Sequence, residues 1–156
     1  MRVLRRHLAR SRCATVVLVL VTSSGAAQTV TDGDTIKLSG TTYRLWGIDA
    51  PETVQSCADG WPAGHEATAK LEQLMAGREI SCEPRTTDRY GRTVAVCRAD
   101  GNDLGAAMVS AGMAYAFTRY SSDYIEQEKS AIRERAGVHA HNCDKPWEWR
   151  AQRPRR

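Results

Sequence analysis

Polar and apolar residues alternate loosely from Gln28 to Leu38, and the Asp32-Gly33-Asp34 turn signal interrupts the run. Ser39-Gly40 marks a second turn. Thr41 to Ile48 is rich in β-branched, aromatic and aliphatic residues and predicts a strand. Ala50-Pro51 ends it, because proline donates no ladder hydrogen bond and pushes its predecessor to extended geometry. Residues 53–60 form a polar loop holding Cys57. The period then changes: from Pro62 to Ala76, Ala67, Leu71, Leu74 and Met75 share one helical face, with Pro62 in the first turn and Gly77 as the stop. A short strand over 79–83, a charged loop over 85–92, and a β-rich run over 93–97 follow. After the Asp100-Gly101 turn, Asn102 or Asp103 caps a helix to about Ala111, with Leu104, Met108 and Val109 inward and Gly112 ending it. Ser121 or Ser122 caps a last helix to about Ala136, with Gly137 at C′. Beyond it, Pro146-Trp147-Glu148-Trp149-Arg150 is expected to dock two indoles, and Arg150, Arg153, Arg155 and Arg156 to form a solvated, frayed tail.

This order of strands and helices predicts an α+β chain rich in β-barrel structure, closed or partly closed in the manner of an OB fold. The 156 residues suit one domain. The start of the chain reads as an export signal over 1–27. Arg2, Arg5, Arg6, Arg10 and Arg12 precede the apolar run Ala14 to Val21, and small residues to Ala27 follow. That run is too short for an ordinary membrane span, so no stable span is expected after cleavage. Cys13 leaves with the signal. The first strand left by such a cleavage would be short. The charge picture changes too. The chain carries 22 Lys+Arg against 18 Asp+Glu, but five of the basic residues and no acids lie in 1–27, which leaves 17 against 18 and a net charge of −1. Overall basicity therefore gives no argument for nucleic-acid binding, and any phosphate site must be local.

Four cysteines remain beyond the leader, Cys57, Cys82, Cys97 and Cys143. An even count in an exported chain reads as two disulfides, with three possible connectivities. Cys82 and Cys97 flank a strand–loop–strand segment and could meet across it. Cys57 and Cys143 would then tie an early loop to the C-terminal tail. His139-x-His141-x-Cys143 has metal-like spacing, but a disulfide uses Cys143 better. Trp46 is expected to pack in the barrel and His65 to be exposed.

The chemistry is concentrated in Asp32-Gly33-Asp34-Thr35 and in Arg44-Leu45-Trp46-Gly47-Ile48-Asp49-Ala50-Pro51-Glu52. Carboxylates this close repel, and a hard divalent cation that prefers oxygen ligands would relieve them. An arginine beside it suits a phosphate, whose oxygens match its planar fork of donors. Each piece alone has a plain reading: a hairpin turn, an ion pair in a strand, and a solvated loop for Asp88-Arg89-Tyr90-Gly91-Arg92. Their joint order favours phosphodiester chemistry.

With these motifs in this order, the chain resembles the staphylococcal nuclease (thermonuclease) family over about Thr29 to Ala136, with a weaker match from Leu104 through Gly112 to Tyr120. The resemblance implies a five-stranded OB-type barrel with three helices over 28–140, followed by a tail over 141–156. It implies a Ca²⁺-dependent phosphodiesterase that cuts the 5′ P–O bond of DNA and RNA and leaves 3′-phosphate ends. It places Asp34, Asp49 and the backbone carbonyl of Ala50 on the metal, where the best-known member has threonine at the last position. It gives Glu52 the attacking water, and Arg44 and Arg92 the phosphate. Arg89 and Tyr90 fall on a Lys-Tyr pair that touches substrate, and Tyr120 is a candidate for stacking on a base. An exported, periplasmic or secreted monomer acting on DNA and RNA is the expectation. The alternative from another class is a non-catalytic OB-type module that binds single strands or a protein.

Overall fold

The computed structural model describes residues 27–153. The export-signal reading of 1–27 falls outside them apart from Ala27, as do Cys13, Arg155 and Arg156. Asp32-Gly33-Asp34 turns β1 (Gln28–Asp32) back on β2 (Thr35–Leu38), and the Ser39-Gly40 turn leads to β3 (Thr41–Leu45). All three pair antiparallel. β4 (Ile48–Asp49) leaves the sheet and later meets β8 (Tyr115–Ala116). After α1 (Ala63–Met75), the long hairpin of β5 (Ile80–Thr87) and β6 (Thr93–Ala99) returns to the sheet, where β6 lies parallel to β3. The path is β1-β2-β3-β6-β5, with the two-residue β7 (Asn102–Asp103) off β6. Then come α2 (Leu104–Ser110), α3 (Ile125–Glu134), a 3-10 turn over Gly137–His139, and α4 (Pro146–Ala151).

The arrangement is α+β and of OB type, with five strands along the path. Of closed or partly closed, the described residues show the latter: β1 pairs only with β2, and the path stays open from β1 to β5. One feature differs from expectation. Four α-helices replace the expected three, and the fourth is built from the segment read as a docked tail.

Burial explains why these elements assemble. Ile36, Leu45, Ile48, Leu71, Leu104, Met108 and Val109 are almost wholly buried in one core between the sheet and the helices. Buried alanines let backbones approach. A Cβ on Gly33 would stand 2.7 Å from the Ala67 Cβ and 2.8 Å from the Ala50 Cβ, so only glycine lets the acidic turn nest against α1. A smaller cluster of Cys57, Ala63, Tyr115 and Val138 holds the other end, with Trp61, Cys143 and Trp147 packed on it. The cysteines pair as Cys57–Cys143 and Cys82–Cys97, the second pair directly opposed across β5 and β6.

Element ends moved where tertiary contacts took over. Asp103 caps α2 by accepting from the Ala106 N–H at 3.0 Å. α3 starts at Ile125, not near Ser121. The Ser121 hydroxyl accepts from the Asp123 N–H at 3.0 Å, and Asp123 in turn takes the Trp46 indole N–H at 2.9 Å. Arg135, not Gly137, is the left-handed cap of α3, with φ 53°. β5 runs on to Thr87 as an exposed arm, with a register shift between Pro84 and Thr86.

Candidate active site

The turn between β1 and β2, the end of β3 and the strand β4 bring the first acidic motifs together. The Asp34 carboxylate is almost sealed from solvent. Its Oδ1 accepts from the Thr35 hydroxyl and from Arg44 Nη1, both at 3.0 Å, and its Oδ2 accepts from the Ala50 N–H at 3.2 Å. The other arm of the same guanidinium donates to Asp49 Oδ1 at 2.9 Å and to the Ile48 carbonyl at 3.3 Å. Arg44 therefore spans the two carboxylates, and Asp49 is 0% exposed. Burial pushes the Asp34 carboxyl up to about 7. Arg44 opposes this, while the Asp32 and Asp49 charges add to it.

Glu52 follows three residues later, half-buried at the cleft. Its loop is pinned from behind. The Glu52 N–H donates to Gln55 Oε1 at 3.2 Å, the Gln55 N–H donates to the Glu52 carbonyl at 2.7 Å, and the Gln55 amide reaches the Asp144 carbonyl at 2.7 Å. The first turn of α1 presses on the same loop, since a Cβ at Gly64 would collide with the Glu52 backbone.

The second arginine arrives from the β5–β6 arm. Asp88 organises that loop: its Oδ1 accepts the Tyr90 and Arg92 N–H groups at 2.9 and 3.0 Å, and its Oδ2 accepts from Arg92 Nε at 2.7 Å. Partial burial raises the Asp88 carboxyl, but these hydrogen bonds outweigh it and hold the group below the ordinary carboxylate value. Arg92 Nη1 then reaches the Thr35 hydroxyl at 3.4 Å, which joins the arm to the Asp34 turn. Arg89 and Arg92 both lie over the exposed Tyr90 ring, at 4.8 and 5.6 Å from its centroid. Tyr120 also lines the cleft and is exposed, tilted against Phe117 at 5.1 Å.

Asp34, Arg44, Ala50 and Glu52 thus line one cleft with Arg92, Arg89, Tyr90 and Tyr120, while Asp49 lies wholly buried behind it, in contact with Arg44. One residue expected elsewhere is also here. Arg150, placed by sequence in a frayed tail, projects from α4 into the cleft. Its Nη2 donates to Asp49 Oδ2 at 2.6 Å, and its Nη1 donates to Glu52 Oε1 at 2.7 Å and Asp49 Oδ1 at 3.3 Å. Burial would lower its pKa, but these carboxylates outweigh burial and raise it. Trp147 anchors the helix by packing edge-on against Tyr115 at 5.9 Å and at a tilt against Phe117 at 5.4 Å. The signal in the sequence was Pro146, a residue suited to open a helix, with Trp147 and Arg150 one turn apart. Asp88 and Thr35 were also missed as supports for Arg92.

Among the described residues no three His, Cys, Asp or Glu side chains converge as a metal cage. The candidate donors, the Asp34 and Asp49 carboxylates and the Ala50 carbonyl, are all oxygen. That suits a hard cation which completes its shell with water and phosphate. The residues present fit such an ion.

Residues 42–141 match a family model described as Staphylococcal nuclease homologue. The chain is similar to the Micrococcal nuclease of Shigella flexneri, 31% identical over 94% of this chain and 95% of that one. It is also similar to the Succinoglycan biosynthesis protein ExoI of Rhizobium meliloti (strain 1021), 34% identical over 86% of this chain and 72% of that one. The Staphylococcal-like nuclease CAN1 of Arabidopsis thaliana is 34% identical over 69% of this chain but only 32% of its own length.

Proposed function

The chain belongs to the staphylococcal nuclease family, and from that premise we propose that it is a Ca²⁺-dependent phosphodiesterase acting on DNA and RNA. In this reading it cuts the 5′ P–O bond and leaves 3′-phosphate ends. The observation that carries the proposal is Arg44, whose single guanidinium spans two buried carboxylates in a cleft that also holds Glu52 and Arg92. A module that only binds strands has no use for buried carboxylates facing its ligand, since these repel phosphate. The cleft, about 1940 Å³, exceeds the roughly 300–1,000 Å³ of small-molecule pockets and has room for a strand of several nucleotides.

Asp34, Asp49 and the Ala50 carbonyl would hold Ca²⁺. When bound, it would supply Lewis-acid charge to a phosphoryl oxygen and a template for water. The rest falls to the protein. Arg44 and Arg92 bind the phosphate oxygens from two sides and stabilise the charge that builds on them. Glu52 accepts a proton from the attacking water as its oxygen bonds to phosphorus. The P–O5′ bond then breaks and the departing 5′ oxygen takes a proton from solvent water, leaving a 5′-hydroxyl on one fragment and the phosphate on the 3′ carbon of the other. Tyr90 and Tyr120 offer ring faces to bases, which suits substrates of any sequence. Arg89 beside Tyr90 adds charge to that wall.

Two disulfides suit an oxidising compartment, and among the described residues no helix is long and apolar enough to cross a membrane. We read residues 1–27 as an export signal, which makes the enzyme periplasmic or secreted, acting as a monomer. The test is digestion of plasmid, single-stranded DNA and RNA with Ca²⁺ or with chelator, followed by end-group analysis. Cleavage that needs Ca²⁺ and leaves 3′-phosphates is expected. Absence of cleavage in Ca²⁺, with strands still bound, would favour the binding module instead.

A further inference from the structure

α4 lies beyond the motifs that carry the family resemblance, yet it delivers a guanidinium onto two of the site's three carboxylates. Arg150 donates to Asp49 from both arms, at 2.6 and 3.3 Å, and to Glu52 at 2.7 Å. Its side chain is 41% exposed, on the cleft side. The segment is also held in place. Cys143 is bonded to Cys57, the Asp144 carbonyl takes the Gln55 amide, and Trp147 packs on Tyr115 and Phe117.

Charge decides what this arginine does. Arg92 is already neutralised by Asp88. The donors of Arg150 are spent on Asp49 and Glu52, while Arg44 spans Asp34 and Asp49. A cation held by these carboxylates would compete with Arg150 for Asp49 and would leave the guanidinium free for a phosphate oxygen.

From this geometry we propose that Arg150 is a third phosphate-binding arginine, supplied by α4 and paired with Asp49 and Glu52 until a cation and a phosphate take over those contacts. This assignment rests on the nuclease reading above. It goes beyond it by adding a substrate contact from outside the family motifs and an order of events in which cation precedes phosphate.

The test uses a ligand with phosphates but no phosphodiester to cut, a deoxynucleoside 3′,5′-bisphosphate. Its affinity is measured by calorimetry with Ca²⁺ and with chelator, for the wild-type protein, Arg150→Ala, Arg150→Lys and the remote control Arg133→Ala. With Ca²⁺, Arg150→Ala should bind at least about tenfold more weakly, as expected for loss of a charged hydrogen bond. Arg150→Lys should fall between, because a point charge replaces a fork. Arg133→Ala should match wild type. In chelator the difference between wild type and Arg150→Ala should disappear, since Arg150 is then paired internally. The salt dependence of single-strand binding should also flatten by about 0.7 in slope for one lost contact. Melting curves check the fold, and if Arg150→Ala melts early, Arg150→Lys decides. Wild-type protein that cuts DNA while both Arg150 variants bind the bisphosphate within twofold of it would overturn the assignment and leave the nuclease reading standing. Wild-type protein that neither cuts DNA nor binds the bisphosphate in Ca²⁺ would overturn both.

Discussion

At the residue scale, Asp49 and Glu52 are three positions apart and sit in different surroundings. Asp49 is fully buried between two guanidiniums, whereas Glu52 is half-exposed with one. Removing one partner of a buried pair strands the others. Asp49→Asn should therefore cost about 3 kcal/mol in chelator, the low end for such a loss because Arg150 can turn to water. Urea titration measures it. Glu52→Gln should change stability by no more than about 0.5 kcal/mol. It should nevertheless slow cleavage by about 10²-fold or more, as removal of a general base does. A Glu52→Gln enzyme with wild-type turnover would remove Glu52 from the water-activating role. Arg92→Ala should likewise lose rate while keeping its melting temperature, because the arm that carries it is exposed.

At the element scale, the first turn of α1 sets the height of the Glu52 loop. Gly64→Ala would drive a methyl into the Glu52 backbone. The expected cost is about 1–3 kcal/mol of stability. Cleavage should fall further than the lost folded fraction explains, and turnover measured beside a melting curve separates the two. The elements also show what could be read in advance. α1 and α2 carried apolar residues at helical spacing with stop glycines or a capping Asp103, so packing and local preference agreed. The acidic turn and the Arg44 strand were legible because turn chemistry and alternation were strong there. The start of α3 was not, because Tyr124 is buried with its hydroxyl on Asp103, and that contact, not a serine cap, sets the boundary. α4 was hidden for a related reason. Six residues rich in tryptophan and charge show no helical period of their own, and what holds them is Tyr115, Phe117 and a disulfide contributed by distant parts of the chain.

At the scale of the whole molecule, long-range ties hold a core built largely from alanine and medium-sized aliphatic residues. The Cys57–Cys143 bond spans 86 residues and Cys82–Cys97 spans 15. Loop-closure entropy assigns them about 4–5 and about 3 kcal/mol. Replacing the first pair by serines should thus lower the denaturation midpoint more than replacing the second. Equal midpoints would show that α4 and its strap add little to the global fold. Alkaline pH offers a separate check. Burial, helped by Glu128, pushes the Tyr115 hydroxyl up to about 12, and burial with Asp103 raises Tyr124 as well, from an ordinary 10.0. A raised folded value means that the unfolded chain ionises first. The stabilising contribution is complete below pH 10 and is lost as pH climbs from there through the folded values. Melting temperature should decline above pH 10, and Tyr124→Phe should flatten that decline. Finally, Arg150 follows Asp49 by 101 residues. At about 5–20 residues per second of synthesis, roughly 5–20 s separate the two. Until the end of the chain is made and docked, Asp49 and Glu52 lack the guanidinium that α4 supplies, so the last residues to be synthesised complete the cleft.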